Sequence, residues 1–200
     1  GVGRQRVGPD DACHGSAGKG DGPKGASLKP RPADIGSAGT MHDKTPTLMY
    51  RTVSVGVAGT PMVSWANALT PDDRWAVVAY INALRASDAD RRAGAVLLAR
   101  HCPSCAGATP AAIKTFGWQV GRSDAEIAAA IATDDWATGM VGGREMNSVE
   151  VDRVVAVLRA TAVVTGPAVP DTAAGDARDP RTAARRVVRL IDDALASARA

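Results

Sequence analysis

From Pro23 to Thr45 the sequence runs through Gly, Pro, Lys and Ala with neither helical nor strand periodicity. Such a segment has no apolar face to bury and cannot hold its own shape, so something outside it must do so. Immediately before it stands PDDACHGSAGKGDGP, where one thiol, Cys13, is followed at once by an imidazole, His14. Taken alone the pair fits a surface turn. In a domain of ~85 residues with few large side chains, marginal without a staple, it also fits the anchor of a bound cofactor.

The text around this stretch is helical. TPDDRWAVVAYINALR places Thr70 as N-cap, Pro71 at the first helical position and two acids in the first turn, with Val77, Val78, Ile81 and Leu84 on one face. A shorter helix is predicted from about Pro46 to Val53, capped by Thr45 and ended by SVGVAGTPM. After Ser87 the pattern restarts. DADRRAGAVLLARHC predicts a helix with Ala93, Val96, Leu97 and the stem of Arg100 turned inward, followed by CPSCAG. Further helices are predicted near Ser123 to Ala132 and from about Ser148 to Ala162.

The two halves rhyme: each has a cysteine-bearing turn, a short middle helix, a Gly/Met loop (GTPMVSW, then TGMVGGREM) and a closing helix. That is the mark of a duplicated domain. The expected organisation is a first domain over 1–87, a second over 88–164, a Gly/Pro/Ala/Asp-rich linker over 165–182 and an amphipathic helix over 183–200. The stripe of Val187, Leu190, Ile191, Ala194, Leu195 and Ala198 on that helix calls for a partner, since so short a helix is marginal in water.

Composition narrows the function. Net charge is +3, basic residues are dispersed and aromatics are only 4%, which leaves out the patch-and-stacking signature of nucleic-acid readers. No run of eighteen apolar residues predicts a membrane span. The chain opens on Gly1 without a signal-peptide pattern, as a mature form or a fragment would. Three cysteines are too few for a disulfide scaffold, and nothing pairs a nucleophile or general base with an oxyanion site, so no enzyme is predicted.

A cysteine directly before a histidine is what one short turn needs in order to tether haem by a thioether and ligate its iron by an imidazole. A second ligand must come from elsewhere, and the thioether of Met62, in GTPMVSW, suits low-spin iron that only exchanges electrons; loop packing is its bland alternative. His42 reads as a solvated loop residue and His101 as an exposed helix-end residue near the last carbonyls. Trp65, Trp75 and Tyr80 line a haem cavity or are simply core, and Lys19, Lys24, Lys29 and Arg31 steer an acidic partner or form a solvated face.

With ACHG, GKGDGP, LKPRPADI, GTPMVSW and RWAVVAYINALR in this order, residues 12 to 85 resemble a class I cytochrome c domain of the small bacterial monohaem type. The resemblance implies a mostly α fold: a small cytochrome c-like helical domain followed by a second, degenerate one. It implies an electron-transfer protein with one covalently attached haem c, Cys13 as the attachment residue, His14 as the proximal iron ligand and Met62 as the distal ligand. A carbonyl in LKPRP, that of Pro30 first, would accept the other ring proton of His14. Family habit places the chain in the periplasm or otherwise outside the cytoplasm, with a redox partner such as an iron permease or a respiratory oxidoreductase.

The departures are informative. The family motif is Cys-x-x-Cys-His, and Asp10 stands at its first cysteine, so at most one thioether forms. Residues 1–9 lack the apolar helix that precedes the motif, as a truncated or misread N-terminus would, or a natural single-cysteine cytochrome. In the second half CPSCAG keeps Cys102 and Cys105 but has Ala106 where the histidine belongs, so a second haem is not expected; Met140, then Met146, would be its distal candidates. The cysteine pair suits a structural or redox-labile disulfide, relict haem attachment or, least well, a thiol oxidoreductase, for no thioredoxin-type strand–helix unit surrounds it.

The closing DPRTAARRVVRLIDDALASARA is similar to the segment that follows cytochrome domains in bacterial fusions with an iron permease, which implies further sequence beyond Ala200. The alternative is a haem-free interaction or scaffold module derived from cytochrome c, the extracytoplasmic part of an iron-uptake permease. With its own leading helix missing, the first domain is expected to borrow the helix at 90–101, with Ile81 or Leu84 meeting Val96 or Leu97.

Overall fold

The computed structural model describes residues 9–106, 111–135 and 138–162, so the expected linker and the terminal amphipathic helix lie outside the described residues. Those residues form eight α-helices joined by turns and short 3-10 segments, with no β-strand among them. The fold is all-helical. No helix among the described residues is long and apolar enough to cross a membrane. The described residues divide into two compact units, one holding those up to Thr40 with Tyr50–Leu84, the other Met41–Met49 with those from Arg85 on.

The first unit contains α1 (Pro9–His14), most of α2 (Ala38–Met41) and of α3 (Pro46–Val55), and α4 (Pro71–Leu84). Thr70 and Asp73 cap α4 reciprocally: Asp73 N–H donates to Thr70 Oγ1 at 3.2 Å and Thr70 N–H donates to Asp73 Oδ2 at 3.2 Å. Such a pair satisfies two of the amides that a helix start leaves open. Thr45 caps α3 one way, its hydroxyl accepting from Leu48 N–H at 3.1 Å. Val77, Val78 and Ile81 are buried as the periodicity predicts, and Leu84 is half-buried.

The core of this unit is sparse. Besides the three α4 residues, its fully buried large apolar side chains among the described residues are Val53 and Leu69. Tyr50 stacks on Trp75 with centroids 4.3 Å apart, Arg74 lies 4.9 Å over the Tyr50 ring, and Tyr80 and Trp65 are half-buried. The stretch read as irregular contains a 3-10 turn at Gly25–Ser27 and the four-residue α2. Both are single turns, too short to leave a period in the sequence.

The second unit contains α5 (Asp88–His101), α6 (Phe116–Gln119), α7 (Asp124–Ala132) and α8 (Ser148–Ala160). Leu98, Cys102, Cys105, Ile113, Ile127, Ile131, Met140, Val151, Val154, Val155, Val157 and Leu158 form one continuous buried cluster. Helices α5 and α8 pack closely at Gly94, where a Cβ would collide with the main-chain carbonyl of Arg153. Only glycine permits that approach.

This crossing corrects one expectation. The buried face of α5 centres on Gly94 and Leu98, with Leu97 partly buried against the cluster, while Val96 is 71% exposed and Arg100 is exposed. The face is rotated from the one predicted because the glycine, invisible to a hydrophobicity pattern, supplies the closest contact. Helix α5 packs on α8 within its own unit.

Side chains cap each long helix of this unit, with Ser87 on α5, Ser123 on α7 and Asn147 on α8. The Ser87 hydroxyl, then Arg153, hold the Asp90 carboxyl below its ordinary range; the Ser123 amide, then its hydroxyl, do the same for Glu126. A carboxyl whose folded pKa is depressed contributes stability that is present above the ordinary carboxylate pKa, about 4, and lost as the pH falls through the folded value. The urea midpoint of the protein is therefore expected to fall below about pH 4. Asp90→Asn and Glu126→Gln together should flatten that acid limb; an unchanged slope in the double variant counts against the cap assignment.

Candidate cofactor site

Helix α1 ends in the Cys13–His14 pair, and a helix end leaves its last carbonyls without partners. The glycine-rich run that follows supplies them. Lys24 N–H donates to Ala12 O at 2.8 Å, Gly22 N–H to Cys13 O at 3.2 Å, Gly20 N–H to His14 O at 2.8 Å and Gly18 N–H to Gly15 O at 2.9 Å. The loop curls back over the helix end and fixes both Cys13 and His14 by their backbones. Cys13 is a half-buried free thiol, and Asp10 occupies the helix one turn before it.

His14 is half-buried, and its Nδ1 lies 3.0 Å from the carbonyl oxygen of Ala33. A carbonyl only accepts, so Nδ1 carries a proton and donates, which makes Nε2 the ring atom that could bind a metal. The acceptor is Ala33 rather than the expected Pro30. Two contacts set this register: Gly20 lies so close under the Pro32 carbonyl that a Cβ would strike it, and Gly36 N–H donates to Gly18 O at 3.2 Å. Ala33 sits between these anchors, and Pro30 lies outside them.

Met62 is half-buried in a tightly tied loop of the same unit. Thr60 donates through both its amide (3.2 Å) and its hydroxyl (2.8 Å) to Val57 O, and its hydroxyl accepts from Met62 N–H at 3.2 Å. Val57 N–H in turn donates to Met62 O at 3.0 Å. Thr60, which the sequence reading passed over, is thus the residue that orders the loop; the Thr two positions before the Met was its visible signal. Val57 and Val63 are exposed beside Met62, and Lys19, Lys24, Lys29 and Arg31 are all exposed.

The second unit repeats the three threonine bonds of this loop. Thr138 donates through amide (2.9 Å) and hydroxyl (2.7 Å) to Asp135 O, and its hydroxyl accepts from Met140 N–H at 3.1 Å. The surroundings differ. Met140 is buried in the same apolar cluster as Cys102 and Cys105, which form a disulfide, and Met146 packs at its edge. The loop lies directly on the cysteine turn: a Cβ on Gly139 would stand 2.6 Å from Ser104 Oγ and 3.9 Å from Cys102 Sγ.

His101 takes part in that closure. It is half-buried, and its Nδ1 lies 2.8 Å from Val141 O while Val141 N–H donates to His101 O at 2.7 Å. The expectation of an exposed ring on the last helical carbonyls is corrected, because the methionine loop brings Val141 O within hydrogen-bond reach of the ring. His42 is exposed, with Nδ1 3.4 Å from Asp43.

Residues 11–85 match the family model described as Cytochrome c. The match supports a cytochrome c-type domain over that stretch. Neither the curated proteins nor the solved structures offer a match to the chain.

Proposed function

We propose that the first unit is an electron carrier with one haem c, attached through Cys13 and ligated by His14 and Met62. The observation that carries this reading is the His14 Nδ1 to Ala33 O hydrogen bond, which presents an oriented imidazole beside a free thiol. When bound, the haem supplies a one-electron iron couple. The protein's part is to hold it. Cys13 forms the single thioether, Ala33 fixes the His14 tautomer, and Thr60 presents Met62 on a loop with little freedom left. The sparse core of this unit supports the reading, since a large apolar cofactor supplies the burial that the side chains lack.

The proposed domains remain 1–87 and 88–164, the second being a haem-free relative of the first. Its repeated Thr-x-Met loop supports common ancestry; Ala106, the disulfide and the continuous cluster around Met140 support the absence of haem there. The chain is proposed to work outside the cytoplasm, to pass electrons to a partner protein rather than convert a substrate, and to belong to an iron-permease system, on the strength of its closing segment. The exposed Lys19, Lys24, Lys29 and Arg31 suit an acidic partner surface.

The test is production with a c-type maturation system followed by a pyridine haemochrome spectrum, which reports thioether number. One haem per chain with one thioether is expected, and Cys13→Ala should release its haem on acid–acetone extraction. A colourless, folded wild-type protein would favour the haem-free scaffold reading instead; haem retained covalently by Cys13→Ala would place the attachment elsewhere.

A further inference from the structure

Asp34 follows Ala33, the residue whose carbonyl accepts from His14. Asp34 as a residue is half-buried, yet its Oδ1 is shut off from solvent and meets no hydrogen-bond donor among the described residues. A buried carboxylate oxygen without a donor is costly, and native structures keep one where something else rewards it. The neighbouring amides are spent elsewhere: Gly36 N–H on Gly18 O, and Ser37 N–H on the Asp34 main-chain carbonyl at 3.5 Å. The carboxylate is therefore held one residue from the His14 acceptor with one oxygen turned away from water.

We propose that Asp34 is a positioning residue that lowers the reduction potential of the haem through His14. The inference rests on the reading of His14 as an iron ligand. A negative charge on the residue that follows Ala33 would strengthen the Ala33 carbonyl as an acceptor, pull the Nδ1 proton toward it and make Nε2 a better donor to iron. A better donor stabilises the ferric state over the ferrous one. Because Oδ1 faces away from solvent, mobile ions screen its effect less than that of a surface charge.

The experiment compares the haem-loaded wild type with Asp34→Asn, which keeps the shape and removes the charge, and with Asp34→Ser as a second neutral variant. Asp21→Asn, an exposed acid of the same loop region, is the control. Midpoint potentials are measured by redox titration at low and high salt, with haem content and the low-spin spectrum recorded alongside. The expected result is an upward shift in both Asp34 variants that persists at high salt, with unchanged haem content and spectrum, and a smaller, salt-erased shift in the control. No shift, or one that salt abolishes, overturns the proposal. Haem lost from both variants while the wild type is loaded overturns it too, in favour of a folding role. A wild type without haem refutes the underlying functional reading, a separate and recognisable outcome.

Discussion

His14→Ala is expected to yield protein with no low-spin haem at all. The iron ligand has to lie beside the tether, and the only imidazole beside Cys13 is that of His14, already turned by its bond to Ala33 O so that Nε2 is the ring atom left for a metal. Of the other two histidines, His42 is exposed beside Asp43 and His101 is engaged with Val141. The absorption spectrum after maturation checks this. Met62→Ala should act differently: haem stays attached, but the weak band near the red edge of the ferric visible spectrum disappears. If replacement of Met41 or Met49, both buried, removed that band instead, the loop assignment would be wrong.

The second large effect is expected in the other unit, at Asp124. Its two carboxylate oxygens serve two arginines: Arg159 Nε donates to Oδ1 at 2.9 Å and Arg85 Nη1 donates to Oδ2. The side chains of Arg159, Arg85 and Asp124 are only 3%, 5% and 17% exposed. Arg159 is held further by the carbonyls of Gln119 (3.0 Å) and Arg122 (2.6 Å). Burial already pushes the Arg85 guanidinium below its ordinary pKa, and Asp124 is the chief influence opposing that shift.

Asp124→Ala would leave two guanidinium groups out of water with their shared counter-charge gone. Breaking a buried ion pair in this way costs about 3–5 kcal/mol, a large share of the ~5–15 kcal/mol that a domain of this kind possesses. Chemical denaturation is the check. A loss of less than about 1 kcal/mol, as for a surface ion pair, would show that the triad is solvated in practice. Asp124→Asn, which keeps an acceptor oxygen, should cost less than the alanine variant.

Much of this was readable in the chain itself. Pro71, with Thr70 before it and Asp73 three residues on, marks the start of α4, and the buried Val77, Val78 and Ile81 follow from a 3.6-residue period. Caps and periodicity are local, so they survive without knowledge of the fold. The candidate site was legible where it depends on adjacency: Cys13 beside His14, and Met62 two residues after Thr60. Arg85, Asp124 and Arg159 gave no signal, because nothing in a sequence says that charges so far apart will meet out of water.

By itself, then, the sequence determined the helices, their caps, the repeated Thr-x-Met loop and the residue types offered to a cofactor, all set within a few residues of chain. The tertiary structure decided which partners those residues take. Ala33 rather than Pro30 receives the His14 proton because contacts at Gly20 and Gly36 fix the loop's register. Helix α5 turns Gly94 rather than Val96 inward because the α8 backbone comes closer to it than any side chain would allow. Met140, whose amide like that of Met62 donates to the hydroxyl of its own threonine, is buried beside a disulfide because the apolar residues of its unit close over it. Register, close approach and closure of a core all depend on atoms distant in the chain, where local pattern carries no information.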